Sequence, residues 1–308
     1  MPAALKSILA RFKPYVRWLV LGIALLLIGQ TLLENWQEVL SIRLSLADRA
    51  CLVMALGITL AAHIWSGWVW GWVAQVCGCP VSNIWAIQTY LKTNIAKYLP
   101  GNVWHFYSRV KALQAKGAML GTAIIGVLLE PILMVAAALI LALFGNQQLL
   151  LQLGILFAVL IAVHPRFLNP ILRFLGQAKA ETSEPLTARL RQYPWKSLLG
   201  ELGFVILRGL GFVSVVLAFR PLTGSEIPLI ISGFSWAWLL GLVVPGAPGG
   251  LGVFEATAIA ILADTLSPAI VLSSVVCYRL ISTLAEAMGA VLAWLDQRWN
   301  ERQNQPTG

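Results

Sequence analysis

The chain reads Val243-Val-Pro-Gly-Ala-Pro-Gly-Gly-Leu-Gly-Val-Phe-Glu255 in the middle of a hydrophobic region that runs from Ile227 to Leu262. This stretch holds two prolines, three residues apart, and four glycines. Because each proline removes an amide donor and clashes with the preceding turn, a continuous helix cannot pass through it. We therefore predict a helix into a membrane, a non-helical elbow, and a second helix that leaves from about Gly250.

The position of this break within apolar sequence indicates a binding site. Unpaired backbone groups are costly in hydrocarbon, so broken backbone persists there only where protein buries it or where it lines a wet cavity. Free amides at the start of the second helix favour anions. An ordinary interhelical turn is the alternative. We favour the anion site because Glu255 lies one turn beyond the break, where a cytoplasmic loop would carry Lys or Arg.

The composition is typical of a multi-pass membrane protein. The 308 residues are 58% hydrophobic and 11% charged, and the mean hydropathy is +0.78. A net charge of +9 would suggest nucleic acid as the partner of a soluble protein, but here seventeen of the 22 Lys and Arg residues fall on segments that we assign to the cytoplasmic side. We therefore expect no nucleic-acid partner, and we place both termini in the cytoplasm.

The predicted fold is a single all-α membrane bundle over residues 1–308. Its two halves, about 1–163 and 198–295, are joined by a basic cytoplasmic loop over residues 164–197. About eight hydrophobic segments cross or half-cross the membrane. They are Trp18–Leu33, Ala50–Val76, Ala118–Phe144, Leu149–Val163, Leu198–Phe219, Ile227–Val244, Gly250–Leu262 and Ala269–Leu295.

A second interruption, Asn94-Ile-Ala-Lys-Tyr-Leu-Pro-Gly-Asn-Val-Trp-His105, follows an apolar segment that is too short to span a bilayer. Both a re-entrant hairpin and an amphipathic surface helix followed by a turn fit this pattern. Each half thus has a Pro-Gly break followed by an acidic residue within the membrane, Glu130 or Glu255. Interrupted segments at corresponding positions predict an inverted repeat with the binding site between its halves. The groups near the second break that can hold a phosphate are Lys97, Tyr98, Asn102, His105 and Arg109.

Ionisable residues inside predicted spans are expensive and therefore candidates for function. They are Glu130, Glu201, Arg208, Glu255, Arg279 and Glu286. Arginine suits a phosphate because its guanidinium stays charged and presents a planar fork. The carboxylates would neutralise the arginines in an empty site or carry protons, and a structural ion-pair network is the alternative for each. We expect Glu201 and Arg208 to find partners on other helices, and His63 to be a packed histidine rather than a proton relay.

The sequence lacks the motifs of a catalytic apparatus. It contains no HExxH, GxSxG, Walker loop or clustered DxD pair, and its four cysteines form no disulfide framework or metal motif. We therefore predict that the protein is not an enzyme, and that it has no catalytic residue, no bound metal and no cofactor.

The two interruptions resemble a known family. The break from Pro245 to Glu255, with Tyr278-Arg-Leu-Ile-Ser282 after it, resembles the Pro-Gly-Gly-Leu-Gly-x-x-Glu and Arg-x-x-Ser signature of the transmembrane domain of the lysylphosphatidylglycerol synthetase/flippase family. The stretch Lys97-Tyr-Leu-Pro-Gly-Asn-Val-Trp104 is similar to the family's first signature. The resemblance implies a bacterial inner-membrane protein that moves a lipid or polyprenyl phosphate between leaflets, with the two breaks meeting in a cavity. No soluble aminoacyl-transferase domain follows Gly308, so we do not expect lysine transfer.

Our leading hypothesis is a lipid translocase of the flippase type whose partner is an anionic membrane lipid. Its predicted substrate-binding residues are Arg279, Glu255, Gly249, Gly250, Arg109, Asn102, His105, Glu130, Glu286 and Arg208. The alternative is a membrane subunit that presents a lipid-linked substrate to a separate glycosyl- or aminoacyl-transferase. The sequence leaves open the lipid, the direction of transport, the energy source and whether the chain forms a homo-oligomer.

Overall fold

The computed structural model describes residues 33, 45–98, 103–145, 149–167, 169, 170, 190, 192–244, 250 and 252–303. Apart from Leu33, the first predicted span lies outside these residues. The described part contains helices and turns but no strand, which confirms the all-α prediction. Its α-helices are α1 (Leu46–Val76), α2 (Asn83–Asn94), α3 (Trp104–Ala115), α4 (Leu120–Ala142), α5 (Leu149–Val163), α6 (Trp195–Leu217), α7 (Glu226–Val243), α8 (Val253–Leu262) and α9 (Pro268–Gln303).

Five helices, α1, α4, α6, α7 and α9, are long and apolar enough to cross a membrane. Several large apolar side chains on these helices point outward, such as Leu280, which is 68% exposed. This combination supports a multi-pass membrane protein, because outward-facing leucine is well placed against lipid. The helices α5 and α8 are apolar but shorter. The predicted number of about eight segments is therefore not confirmed.

The second interruption folds as a helical hairpin. We call it hairpin I; it comprises α2, the 3-10 turn Ile95–Tyr98 and α3. Lys116, just after α3, lies over the ring of Trp85 near the start of α2, at 5.6 Å. The hairpin therefore begins and ends at the same end of the bundle. Leu99 to Asn102 lie outside the described residues.

The Pro-Gly stretch that opened the sequence also separates two antiparallel helices, α7 and α8, which we call hairpin II. Arg220, which follows α6, pairs with Glu226 at the start of α7 and donates to the Thr265 carbonyl, just after α8, at 3.3 Å. Both ends of the hairpin thus lie together. The helix ends at Val243 and the next begins at Val253, so the predicted interruption is confirmed.

A positive φ angle explains why glycine occupies two of the four glycine positions of that stretch. Gly250 has φ +73° and Gly252 has φ +85°. An L-residue with a Cβ is strained in this left-handed region, whereas glycine adopts it freely. Pro245 to Gly249 lie outside the described residues.

The hairpins approach α9 from opposite ends. Near the far end of α9, Asp296 accepts a 2.6 Å hydrogen bond from Gln88 of α2. Hairpin II ends just before α9 begins, at Leu262. The two tips therefore meet beside the middle of α9. The described helices also repeat one order, since α1, hairpin I and α4 are matched by α6, hairpin II and α9. This order agrees with the predicted inverted repeat, which stays a prediction.

Candidate functional site

A cavity of about 580 Å³ lies between the two hairpin tips. Side chains from both hairpins and from α1, α4, α6 and α9 line it. Its cationic residues are Lys97, Arg109, Arg208 and Arg279. Two carboxylates, Glu130 and Glu286, share the lining, and a third, Glu255, pairs with one of the arginines. Among the described residues, four cations against three carboxylates leave an excess of one positive charge, which favours an anionic ligand.

Arg109 on α3 and Glu130 on α4 form the most deeply buried ion pair of the cavity. Arg109 Nη1 donates to Glu130 Oε2 at 2.8 Å, and both side chains are 2% exposed. Arg109 Nε donates to Thr93 Oγ1 at 3.2 Å, and its guanidinium lies 3.7 Å from the centre of the Tyr90 ring. The carboxylate and the aromatic face compensate the buried charge. Glu130 is thus the counter-charge of Arg109 in this structure.

Glu286 on α9 is the centre of a second polar cluster. Its Oε1 accepts from Lys97 Nζ at 2.7 Å and from Ser282 Oγ at 3.3 Å. Arg208 Nη1 donates to Ser282 Oγ at 2.8 Å and also contacts His63 Nε2 at 3.1 Å. The same His63 Nε2 lies 3.4 Å from Glu286 Oε1. Lys97, Arg208 and Glu286 are thereby joined into one network.

Arg279 on α9 forms hydrogen bonds with the tip of hairpin II. Its Nε donates to Glu255 Oε1 at 2.8 Å and its Nη2 donates to the Gly250 carbonyl at 2.9 Å. Glu255 Oε2 accepts from the Gly252 amide at 2.6 Å. The prediction of a free amide at the start of α8 is therefore wrong for Gly252. Glu255 is the third residue of α8, where a carboxylate reaches back to cap the helix, so the chain supplies its own anion.

His105, near the start of α3, also lines the cavity. Burial lowers the pKa of His105 to about 3, and the positive charge of Arg109 acts in the same direction. The imidazole is therefore neutral at physiological pH and offers a hydrogen bond rather than a charge. Two other predicted site residues, Asn102 and Gly249, lie outside the described residues.

The structure gathers the other predicted site residues at one place. Those that line the cavity are His105, Arg109, Glu130, Arg208, Gly250, Arg279 and Glu286. Glu255 joins them through its pair with Arg279. Lys97, which the sequence marks as able to hold a phosphate but which the predicted substrate-binding set omits, also lines the cavity. His63 was expected to be only packed, but it lines the cavity and contacts Arg208, because α1 turns it toward α6.

Glu201 was expected to find a partner on another helix, but the described residues show no hydrogen bond to it. Its side chain is fully buried, and neither carboxyl oxygen has a hydrogen-bond partner in the described part of the chain. It is not among the residues that line the cavity. A helical periodicity shows that a residue faces inward, but it does not show whether a complementary group stands opposite.

Part of the cavity lining is apolar and exposed. Ile132 on α4 is 37% exposed, Leu242 and Val243 at the end of α7 are 38% and 56% exposed, and Leu280 on α9 is 68% exposed. The same cavity thus has a charged interior and a rim of outward-facing aliphatic side chains. This arrangement suits a ligand with a charged head and an apolar chain.

Two further findings bear on the identity of the site. Among the described residues, no three His, Cys, Asp or Glu side chains are grouped closely enough to hold a metal ion. No protein-family model matches the chain, and no curated protein matches it significantly. The family resemblance of the two motifs accordingly stays a prediction.

Proposed function

We propose that the protein is a non-enzymatic translocase that moves an anionic lipid between the leaflets of a bacterial inner membrane. The supporting observation is the cavity between the hairpin tips, where three arginines and a lysine stand among membrane helices. Charged groups within a membrane protein are costly and are kept chiefly for function. A phosphate headgroup is the natural ligand, because arginine binds it through two parallel hydrogen bonds.

The ion pairs suggest how a headgroup would bind. Arg109 and Arg279 are each held in place by a carboxylate, Glu130 and Glu255 respectively. A phosphate that approaches either arginine therefore meets a guanidinium that is already oriented and largely desolvated, which lowers the ordering cost of binding. The phosphate of the headgroup then pairs with the arginine in place of part of the carboxylate's interaction.

The size and rim of the cavity support a lipid rather than a small soluble anion. A volume of about 580 Å³ is enough for a headgroup but not for long acyl or prenyl chains. The chains would stay outside, against Ile132 and Leu280, where aliphatic side chains are exposed. The resemblance of the two Pro-Gly motifs to the lysylphosphatidylglycerol synthetase/flippase family agrees with this division between head and chain.

The test is leaflet exchange in reconstituted vesicles. Wild-type protein should speed the exchange of labelled phosphatidylglycerol over that of empty vesicles. Arg279→Ala should reduce the protein-dependent rate about ten- to a hundredfold, because a hydrogen bond to a charged group contributes about 1.5–3 kcal/mol. Arg220→Ala is a matched control, since Arg220 also binds a carboxylate and a backbone carbonyl, but at the base of hairpin II. It should retain exchange.

Two results would contradict the proposal. One is exchange by the wild type at the rate of empty vesicles. The other is an equal loss of exchange in Arg220→Ala and Arg279→Ala, because this would show a general effect of removing an arginine rather than headgroup binding.

A further inference from the structure

Arg208 on α6 differs from the other three cations of the cavity in its partners. Lys97, Arg109 and Arg279 each form an ion pair with a carboxylate. Arg208 is 8% exposed and forms no ion pair with any described residue; its Nη1 donates instead to Ser282 Oγ at 2.8 Å. The excess positive charge of the cavity therefore lies at Arg208.

An imidazole, a hydroxyl and an aromatic ring surround this guanidinium. Arg208 Nη1 also contacts His63 Nε2 at 3.1 Å, and the guanidinium carbon lies 5.2 Å from the centre of the Tyr278 ring. The carboxylate of the same cluster, Glu286, is connected to Arg208 through the hydroxyl of Ser282. Because a buried cation without a direct counter-charge is costly, an anion that enters the cavity stabilises Arg208.

Most of the donor groups of Arg208 are also unused. Its Nε and Nη2 carry three N–H groups, and none of them has an acceptor among the described residues. A phosphate accepts hydrogen bonds from arginine through two oxygens at once. At Arg109 or Arg279 a phosphate must compete with a carboxylate, whereas at Arg208 it does not.

The undescribed residues between the helices of each hairpin do not alter the charge of the cavity. Residues 99–102 of hairpin I and residues 245–249 and 251 of hairpin II include no Asp, Glu, Lys, Arg or His. Counting the imidazoles as uncharged, the site has one excess positive charge. A monoanion brings the site to neutrality, whereas a dianion leaves one buried negative charge without compensation, which is costly.

We propose that Arg208 is the phosphate ligand that gives the cavity its excess charge, and that the lipid is a phosphodiester with a single negative charge. The inference rests on the proposed translocation, because the site is the same. A phosphomonoester carries a charge of about −1.5 to −2 at neutral pH, which exceeds what the cavity neutralises. A polyprenyl phosphate belongs to this second class and is disfavoured, whereas phosphatidylglycerol belongs to the first.

Competition between two matched lipids tests the charge of the ligand. Phosphatidylmethanol and phosphatidic acid with the same acyl chains differ only in the methyl group that removes one charge. With detergent-purified protein at about pH 8, phosphatidylmethanol should displace labelled phosphatidylglycerol at an about tenfold lower concentration than phosphatidic acid. At about pH 5 both lipids carry one charge, so the difference should disappear.

Two substitutions change the charge of the cavity in opposite directions. Arg208→Gln removes the excess cation and should weaken the binding of phosphatidylmethanol about ten- to a hundredfold. Glu130→Gln leaves Arg109 without its carboxylate and adds a second excess positive charge, so it should raise the affinity for phosphatidic acid and abolish the preference. A misfolded variant would not gain affinity. Arg220→Gln, at the base of hairpin II, is the control and should leave both affinities unchanged.

Equal displacement by the two lipids in the wild type at about pH 8 would overturn the single-charge assignment. An unchanged affinity in Arg208→Gln would overturn the role of Arg208. The leaflet-exchange assay separates these failures from that of translocation. A wild type that exchanges phosphatidylglycerol but does not distinguish the two competitors contradicts the charge inference alone. A wild type that prefers phosphatidylmethanol but exchanges no lipid contradicts translocation and supports the phosphodiester site.

Discussion

The tips of the two hairpins meet the same helix but are held by different forces. At the tip of hairpin II, the described residue Phe254 is 3% exposed and contacts the rings of Phe212, Phe234 and Tyr278 at centroid distances of 5.7 to 6.3 Å. The tip of hairpin I, Ile95–Tyr98, contains no buried residue. Aromatic packing secures the tip of hairpin II, whereas polar contacts with α9 secure the tip of hairpin I.

The polarity of the contacts with α9 is also reversed. Hairpin I presents a cation, Lys97, to the carboxylate of Glu286. Hairpin II presents a carboxylate, Glu255, to the cation of Arg279, seven residues earlier on α9. An ion pair responds to a charged ligand, whereas an aromatic cluster does not. We therefore expect hairpin I to move when a headgroup binds, and hairpin II to remain in place.

The largest expected effect comes from removing the aromatic anchor. Phe254→Ala should lower the free energy of unfolding by about 3–5 kcal/mol, because it opens a cavity in a packed cluster. Tyr98→Ala, the matched change at the other tip, should cost less than about 1 kcal/mol, since Tyr98 is 43% exposed. Denaturant unfolding of the detergent-purified protein measures both. Equal losses would remove the distinction between the tips.

A smaller effect is expected at glycines with positive φ. At Gly250 a Cβ would lie 2.9 Å from the Gly241 carbonyl oxygen of α7, whereas at Gly117, after α3, it would meet open space. Gly117→Ala should therefore cost only the backbone strain of about 1–2 kcal/mol. Gly250→Ala should cost more, because α7 must also shift. The same unfolding experiment compares them, and a smaller loss at Gly250 would show that hairpin II is not closely packed there.

The smallest effect is local loosening of hairpin I. Lys97→Met should speed amide hydrogen exchange at residues 95–98 about tenfold, because a hydrogen bond to a charged group is lost. Arg279→Met, the matched loss on hairpin II, should leave the exchange of α8 amides nearly unchanged, since Phe254 still holds that tip. Mass spectrometry of exchanged peptides measures both. Similar changes at the two tips would contradict the proposed division between a mobile and a fixed hairpin.

The sequence by itself determined the class of the fold and most members of the site. Its apolar composition predicted membrane helices, and the Pro-Gly stretch before Val253 predicted the break in hairpin II. Intramembrane charges such as Glu130, Arg208 and Arg279 marked the site. These features are local, because propensity, backbone restriction and the cost of a charge in hydrocarbon act on each residue wherever its helix finally packs.

Only the tertiary structure decided the partners. Lys97 meets Glu286 across 189 positions of the chain, and His63 turns toward Arg208 across 145. Glu201, by contrast, meets no hydrogen-bonding group among the described residues. Periodicity places a side chain on the inner face of a helix, but the group opposite depends on how neighbouring helices rotate and cross. Which carboxylate is paired and which is left without a hydrogen-bond partner is therefore decided by packing.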